Sequence, residues 1–122
     1  MGDTKSKFVG VELYFEDLAR ATRFYRDMIG LDLSEETVGH HAKFEGTAGF
    51  LCLEGKGLES YPSHDKAVVF VEVADLQAAI GTIGRERMLQ VEMDKSKGHN
   101  PWAVLQDPEG HSVVLLQAKR PS

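Results

Sequence analysis

Residues 8–33 read FVGVELYFEDLARATRFYRDMIGLDL, and the reading of this stretch decides the fold. From Phe8 to Phe15 the apolar residues Val9, Val11, Leu13 and Phe15 alternate with Gly10, Glu12 and Tyr14, the period-2 signature of a half-buried strand. Asp17 then offers an N-cap, because its side chain can accept from the backbone N–H groups that open a helix. Leu18, Ala21, Tyr25 and Met28 recur at helical spacing, and Gly30 is placed to end the helix after about three turns. Three short strand segments come next, Leu31–Glu35, His41–Glu45 and Phe50–Glu54, separated by Gly39, Gly46 and Gly49. The order is β-α-β-β-β.

Residues 55–66, GKGLESYPSHDK, have the glycine, proline and polar content of a linker, and beyond them the order starts again. Lys66–Val73 reads as a strand, and Asp75 caps a second helix carrying Leu76, Ala79, Ile80 and Ile83. Gly81 and Gly84 each cost that helix roughly 1 kcal/mol relative to Ala, so it should be shorter. Strands follow at Leu89–Met93, Trp102–Gln106 and His111–Gln117, the last two joined by Asp107-Pro108-Glu109-Gly110, a turn sequence. Matching the two helix caps superposes the halves at an offset of 58 residues without a gap. Val11, Leu13, Phe15, Asp17, Leu18, Ala21, Leu31 and Leu33 fall on Val69, Val71, Val73, Asp75, Leu76, Ala79, Leu89 and Val91. Chance could produce such agreement between any two strand-helix units, but the better reading is an internal repeat.

The 122 residues therefore form a single domain of two fused modules, the first about 7–55 and the second about 66–118, with a linker at about 56–65. With 42% apolar and 27% charged residues, composition gives no support to disordered or fibrous classes. The apolar runs fall far short of the ~20 residues of a membrane span. A net charge of −5 disfavours phosphate backbones as partners. Residues 1–60 hold 7 basic and 11 acidic groups, which tilts any charged ligand toward a cation. One cysteine, Cys52, and a polar start at Met1–Lys7 give the expectation of a cytoplasmic protein.

The sequence Glu16-Asp17-Leu18-Ala19-Arg20-Ala21, followed by Phe24-Tyr25 and Gly30-Leu31, and the pairing of Asp75-Leu76 with Asp107-Pro108-Glu109-Gly110-His111, resemble the glyoxalase, bleomycin-resistance and extradiol-dioxygenase superfamily, also called vicinal oxygen chelate proteins. The resemblance covers nearly the whole chain. It implies an α+β fold in which two tandem β-α-β-β-β modules build a cup-shaped mixed sheet, and it implies a homodimer. Enzymes of the superfamily hold a divalent metal in the cup with His and Glu side chains from the first and last strand of each module. Carried onto this sequence, those positions fall on Gly10, Cys52 or Leu53, Val68 and Val114. Three of them have no donor atom, and a single thiolate cannot hold a catalytic ion, which needs about three protein ligands. The resemblance thus points to the metal-free members, which bind and sequester bleomycin-type or other antibiotics, with no cofactor. The alternative is a metal-dependent glyoxalase-like lyase, isomerase or dioxygenase with displaced ligands, using Glu12, Cys52 and a histidine such as His41.

Strand parity puts Glu12 and Tyr14 on the face of Gly10, and Phe70 and Glu72 on the face of Val68, so these four are expected to line the cup. Glu12 reads equally as an exposed edge charge; Glu72 reads more readily as an ordinary polar strand residue. In an apolar cup a carboxylate has its pKa raised unless it meets a cation, so Glu12 could hold an amine or act as a base. Trp102, the lone tryptophan, is either an interface aromatic or a stacking surface for a planar ligand, together with Phe44 or Phe70. Of the histidines, His40 and His41 are expected to point to opposite faces, and His111 to support the turn before it. Cys52 reads as an inert buried thiol.

Overall fold

The computed structural model describes residues 6–58, 63, 64, 66–93 and 100–118. β1 (Lys7–Phe15) leads into α1 (Leu18–Arg23), then β2 (Leu33–Thr37), β3 (His41–Gly46) and β4 (Gly49–Gly55). The second half repeats the order with β5 (Val68–Val73), α2 (Leu76–Ile83), β6 (Met88–Glu92), β7 (Trp102–Gln106) and β8 (Ser112–Gln117). The strands form one curled sheet in the order β2-β3-β4-β1-β5-β8-β7-β6. β1 and β4 run parallel, as do β5 and β8, and β1 meets β5 antiparallel at the centre.

The repeat is visible atom by atom at the helix starts. Asp17 accepts from Arg20 N at 3.0 Å, and Asp75 accepts from Ala78 N at 3.1 Å. Each cap satisfies a donor the helix leaves without an internal partner, a contribution of about 1 kcal/mol. α1 departs from the three regular turns read from the sequence. It is regular only to Arg23 and continues as a wider turn over Phe24–Met28, where Ile29 N donates to Phe24 O at 3.0 Å in an i to i+5 bond. The chain leaves both helices through left-handed glycines, Gly30 at φ 87° and Gly84 at φ 122°.

Three clusters make up the core. On the convex face of the first half, Ala42, Phe44 and Leu53 pack with Phe15, Leu18, Ala21 and Tyr25. Its counterpart joins Leu76 and Ile80 of α2 to Val73, Ala103 and Leu115. Full burial of a side chain such as Leu53 or Leu76 contributes roughly 1.5–3 kcal/mol. The third cluster fills the concave face with Tyr14, Val68, Phe70, Val104 and Val114. The register of β1 against β5 slips between Phe8 and Gly10, so Val9 packs into this concave cluster instead of following Val11. An irregularity of this kind carries no sequence signal beyond the neighbouring glycine. Among the described residues no helix is long and apolar enough to cross a membrane.

Candidate functional site

Cross-strand register assembles the concave face row by row. Gly10 lies between Phe50 and Phe70, and Glu12 between Cys52 and Val68. Tyr14 pairs with Glu54, and Glu54 in turn with His41. Cys52 therefore faces the cup and Leu53 the helix side, which decides between the two positions the sequence left open. In the second half the positions equivalent to Glu12 and Cys52 are Phe70 and Val114, which pair with each other. At this row the two halves of the cup have the same backbone and different chemistry: Glu12 and Cys52 in the first, Phe70 and Val114 in the second.

Of the four metal positions that the resemblance implies, three offer no donor atom, and the fourth, Cys52, offers a single sulfur. An added Cβ at Gly10 would come within 2.5 Å of two Phe50 ring carbons, so no ligand side chain can stand there while the ring is in place. The Phe50 ring packs on Phe70 with centroids 5.1 Å apart. Val68 and Val114 are fully buried in the apolar cluster. Aromatic and aliphatic carbon therefore surrounds Gly10, Val68 and Val114.

Polar chemistry is concentrated one row away. Glu12 and Glu54 are each 4% exposed. The Tyr14 hydroxyl donates to Glu12 Oε2. Burial pushes the Glu12 carboxyl above its ordinary range; the Tyr14 hydrogen bond opposes that shift, and the nearby Glu54 adds to it. Tyr14 is also raised, by burial first and then by donating to Glu12, while a hydrogen bond from Ser63 works the other way. Burial, with the Glu12 charge next, pushes the Cys52 thiol up to about 12, in keeping with an inert thiol. Ligand atoms of Glu12, Cys52 and Glu54 all lie within 4.8 Å of one another. Two buried carboxyls this close favour a cation beside them.

The expected site residues divide as follows. Glu12 and Tyr14 are brought together, and Phe70 and Tyr14 share the concave cluster, with Trp102 packed against it. Glu72 sits half-buried in the row Lys7, Glu72, Leu116, Trp102, toward the rim of the cup. Phe44 does not belong with them: it faces α1, its ring 6.4 Å from that of Tyr25, because it pairs with Leu51 on the convex side. His40 and His41 do not point to opposite faces either. His40 lies in the turn before β3, outside the strand alternation, and the two rings meet edge to face with centroids 5.6 Å apart. His111 supports its turn as expected, its N–H donating to Asp107 Oδ1 at 2.8 Å, and this bond holds the Asp107 carboxyl below the usual range. Residues 94–99, which precede Trp102 in the sequence, fall outside the described residues.

Sequence reasoning missed Glu54 and Ser63. Glu54 was findable, because it lies two residues from Cys52 and shares its face. Ser63 gave no signal: it belongs to the linker, yet it is fully buried and bonds to Tyr14.

Residues 7–47 match the family described as bleomycin resistance protein-like N-terminal. Among solved structures, a glyoxalase/bleomycin resistance/dioxygenase superfamily member from Vibrio splendidus shares 18% identity, with 93% of this chain and 100% of that chain covered and a TM-score of 0.70. A hypothetical protein from Bacillus halodurans shares 14%, covering 97% of this chain and 98% of the other at 0.69. Homoprotocatechuate 2,3-dioxygenase from Brevibacterium fuscum, as its E323L mutant, shares 20%, with 93% of this chain on 33% of that chain at 0.66. No curated protein matches the sequence. The chain has the fold of the glyoxalase/bleomycin resistance/dioxygenase superfamily, as the helix and turn motifs implied. Its first module carries the bleomycin-resistance-like N-terminal pattern.

Proposed function

We propose that this protein binds a small molecule in the cup and sequesters it, as antibiotic-binding members of the superfamily do, with no metal at the family positions. The observation that carries the reading is the Phe50 ring closed over Gly10, with Val68 and Val114 buried beside it. The bleomycin-resistance-like first module supports it. Glu12 and Glu54 favour a cationic group on the ligand, and Phe70 with Trp102 offers apolar and aromatic surface for a planar part. A homodimer and a cytoplasmic location belong to the same reading.

A thermal-shift screen of cationic and planar antibiotics tests it. A ligand present at 100 times its Kd stabilises the fold by about 2.7 kcal/mol, and Glu12→Gln should weaken that effect. A panel with no stabilising compound and no change in Trp102 fluorescence counts against the proposal.

One observation favours a second reading, a metal-dependent lyase, isomerase or dioxygenase with displaced ligands: the Glu12, Cys52 and Glu54 donor atoms stand close enough to share an ion. Metal analysis separates the two readings. A stoichiometric divalent ion that is lost in Glu12→Gln and in Cys52→Ser supports the second and overturns the first.

A further inference from the structure

We propose that His40 and His41, oriented by Glu35, form a two-histidine site for a borderline divalent cation such as Zn2+, Ni2+ or Cu2+ at the rim of the first-module half of the cup. It stands independently of the cup-floor reading above.

The Nδ1 atoms of the two rings lie 3.4 Å apart in a hydrogen bond, and an ion bound between them would displace the proton they share. Two nitrogens at about 2.0–2.1 Å from a tetrahedral ion are separated by about 3.4 Å, so the rings already stand at the spacing of two ligands on one metal. On the far side of His41, Nε2 lies 2.9 Å from Glu35 Oε2. A carboxylate at that nitrogen accepts the Nε2–H, so the ring nitrogen available to an ion is Nδ1, the one nearest His40. This carboxylate-histidine arrangement is the outer-shell contact that metal-ligating histidines usually have.

The backbone fixes both residues. His40 N donates to Thr37 O at 2.9 Å, and His40 O accepts from Gly55 N at 3.4 Å. His41 is held in β3 by its pairing with Thr37 on one side and Glu54 on the other. His40 is exposed, so the remaining coordination positions are open to water or to an oxygen of a small molecule entering the cup. Imidazole donors suit Zn2+, Cu2+ and Ni2+, whereas Mg2+ and Ca2+ prefer oxygen and should not bind here.

The test is calorimetric titration of the metal-stripped full chain with Zn2+ alone, and with Mg2+ as a comparison. One Zn2+ per chain is expected, with no Mg2+ heat, a loss of at least 10-fold in affinity in both His40→Ala and His41→Ala, and a 10–100-fold loss in Glu35→Gln. His111→Ala, whose ring is held by Asp107, should bind as the wild type does. Side-chain NMR should show both Nδ1 resonances moving on Zn2+ addition. The proposal is overturned by the absence of binding, by binding that survives His40→Ala, or by binding lost in Cys52→Ser with both histidines intact. The last outcome places the ion on the cup floor and favours the metal-dependent reading above, whereas the first two overturn this proposal and leave the antibiotic screen untouched.

Discussion

Gly10→Ala probes directly whether the Phe50 ring fills the space beside Gly10, one of the positions that the resemblance implies for a metal. A Cβ there would stand 2.5 Å from Phe50 Cδ2 and Cε2 and 2.6 Å from Cδ1. Ordinary carbon contacts need about 3.5–4.0 Å, so the ring must retreat by about 1 Å. That retreat must disturb its contacts with Phe70, which packs against it, and with Lys43, whose Nζ lies 4.6 Å from the ring centroid. Overpacking of this kind costs about 1–3 kcal/mol, offset by roughly 0.5–1 kcal/mol from replacing a strand glycine. The net loss should be up to about 2.5 kcal/mol, or up to ~10 °C in Tm for a chain of this size. Phe50→Ala alone should cost about 2–3 kcal/mol, below the range for a fully buried phenylalanine because the ring is only half-buried. In the double variant the new Cβ meets open space, so Gly10→Ala becomes neutral or mildly stabilising, a coupling of about 1–3 kcal/mol. Urea unfolding followed by Trp102 fluorescence and by far-UV circular dichroism reads each arm of the cycle. Effects that add within about 0.5 kcal/mol would show that the ring does not fill the position, and the case against a metal there would lose its footing.

Other consequences can be checked on the same preparations. The Glu12 carboxyl is raised above its ordinary 4.5, so the folded state binds more protons than the unfolded chain between those two values; the stability this contributes is complete below 4.5 and is lost as pH rises through the raised value. Glu12→Gln should therefore gain on the wild type as pH is raised from 4 toward 8 in thermal melts, and a difference that is flat with pH contradicts the buried charge. With its thiol pushed up to about 12, native Cys52 should resist iodoacetamide at pH 8 and react once the chain is unfolded in urea, as mass spectrometry would report. Asp17→Ala and Asp75→Ala should each cost about 1 kcal/mol, and their sum should hold in the double variant, because the two caps have no shared partner. Phe44→Ala should cost about 3–5 kcal/mol by denaturant titration while leaving the affinity of any cup ligand unchanged in the folded fraction, since its ring packs on Tyr25 behind the sheet.

The elements and the repeat were legible because they rest on local chemistry. Alternation along β1, Asp17 and Asp75 before apolar periodic runs, and a Pro-Gly turn before β8 each act within a few residues, and each appears in the structure where the sequence places it. What failed involved a choice of face. Phe44 was assigned to the cup as an aromatic, but parity counted back from Cys52 through the β3–β4 register puts it behind the sheet. The polarity of the cup was only half legible. Glu12 was found from its own strand; Glu54 was open to the same parity rule counted from Cys52, whereas Ser63 enters through a linker that no local pattern encodes. His40 and His41 were separated by a strand rule that does not reach a residue in the turn.

The concave cluster has a second role besides lining the cup. Tyr14 comes from β1, while Val68, Phe70, Val104 and Val114 come from β5, β7 and β8, so this cluster joins the two repeats, whereas each helix-side cluster stays within its own half. The residues that would meet a ligand are therefore also the mortar between the modules. Enlarging the cup by trimming Phe70 or Val114 loosens the joint at the same stroke, and a change of ligand preference there would require compensating stability elsewhere in the chain. A bound molecule would work in the opposite direction, tying one repeat to the other, so that ligand occupancy should be read as cooperativity of unfolding as well as a rise in midpoint.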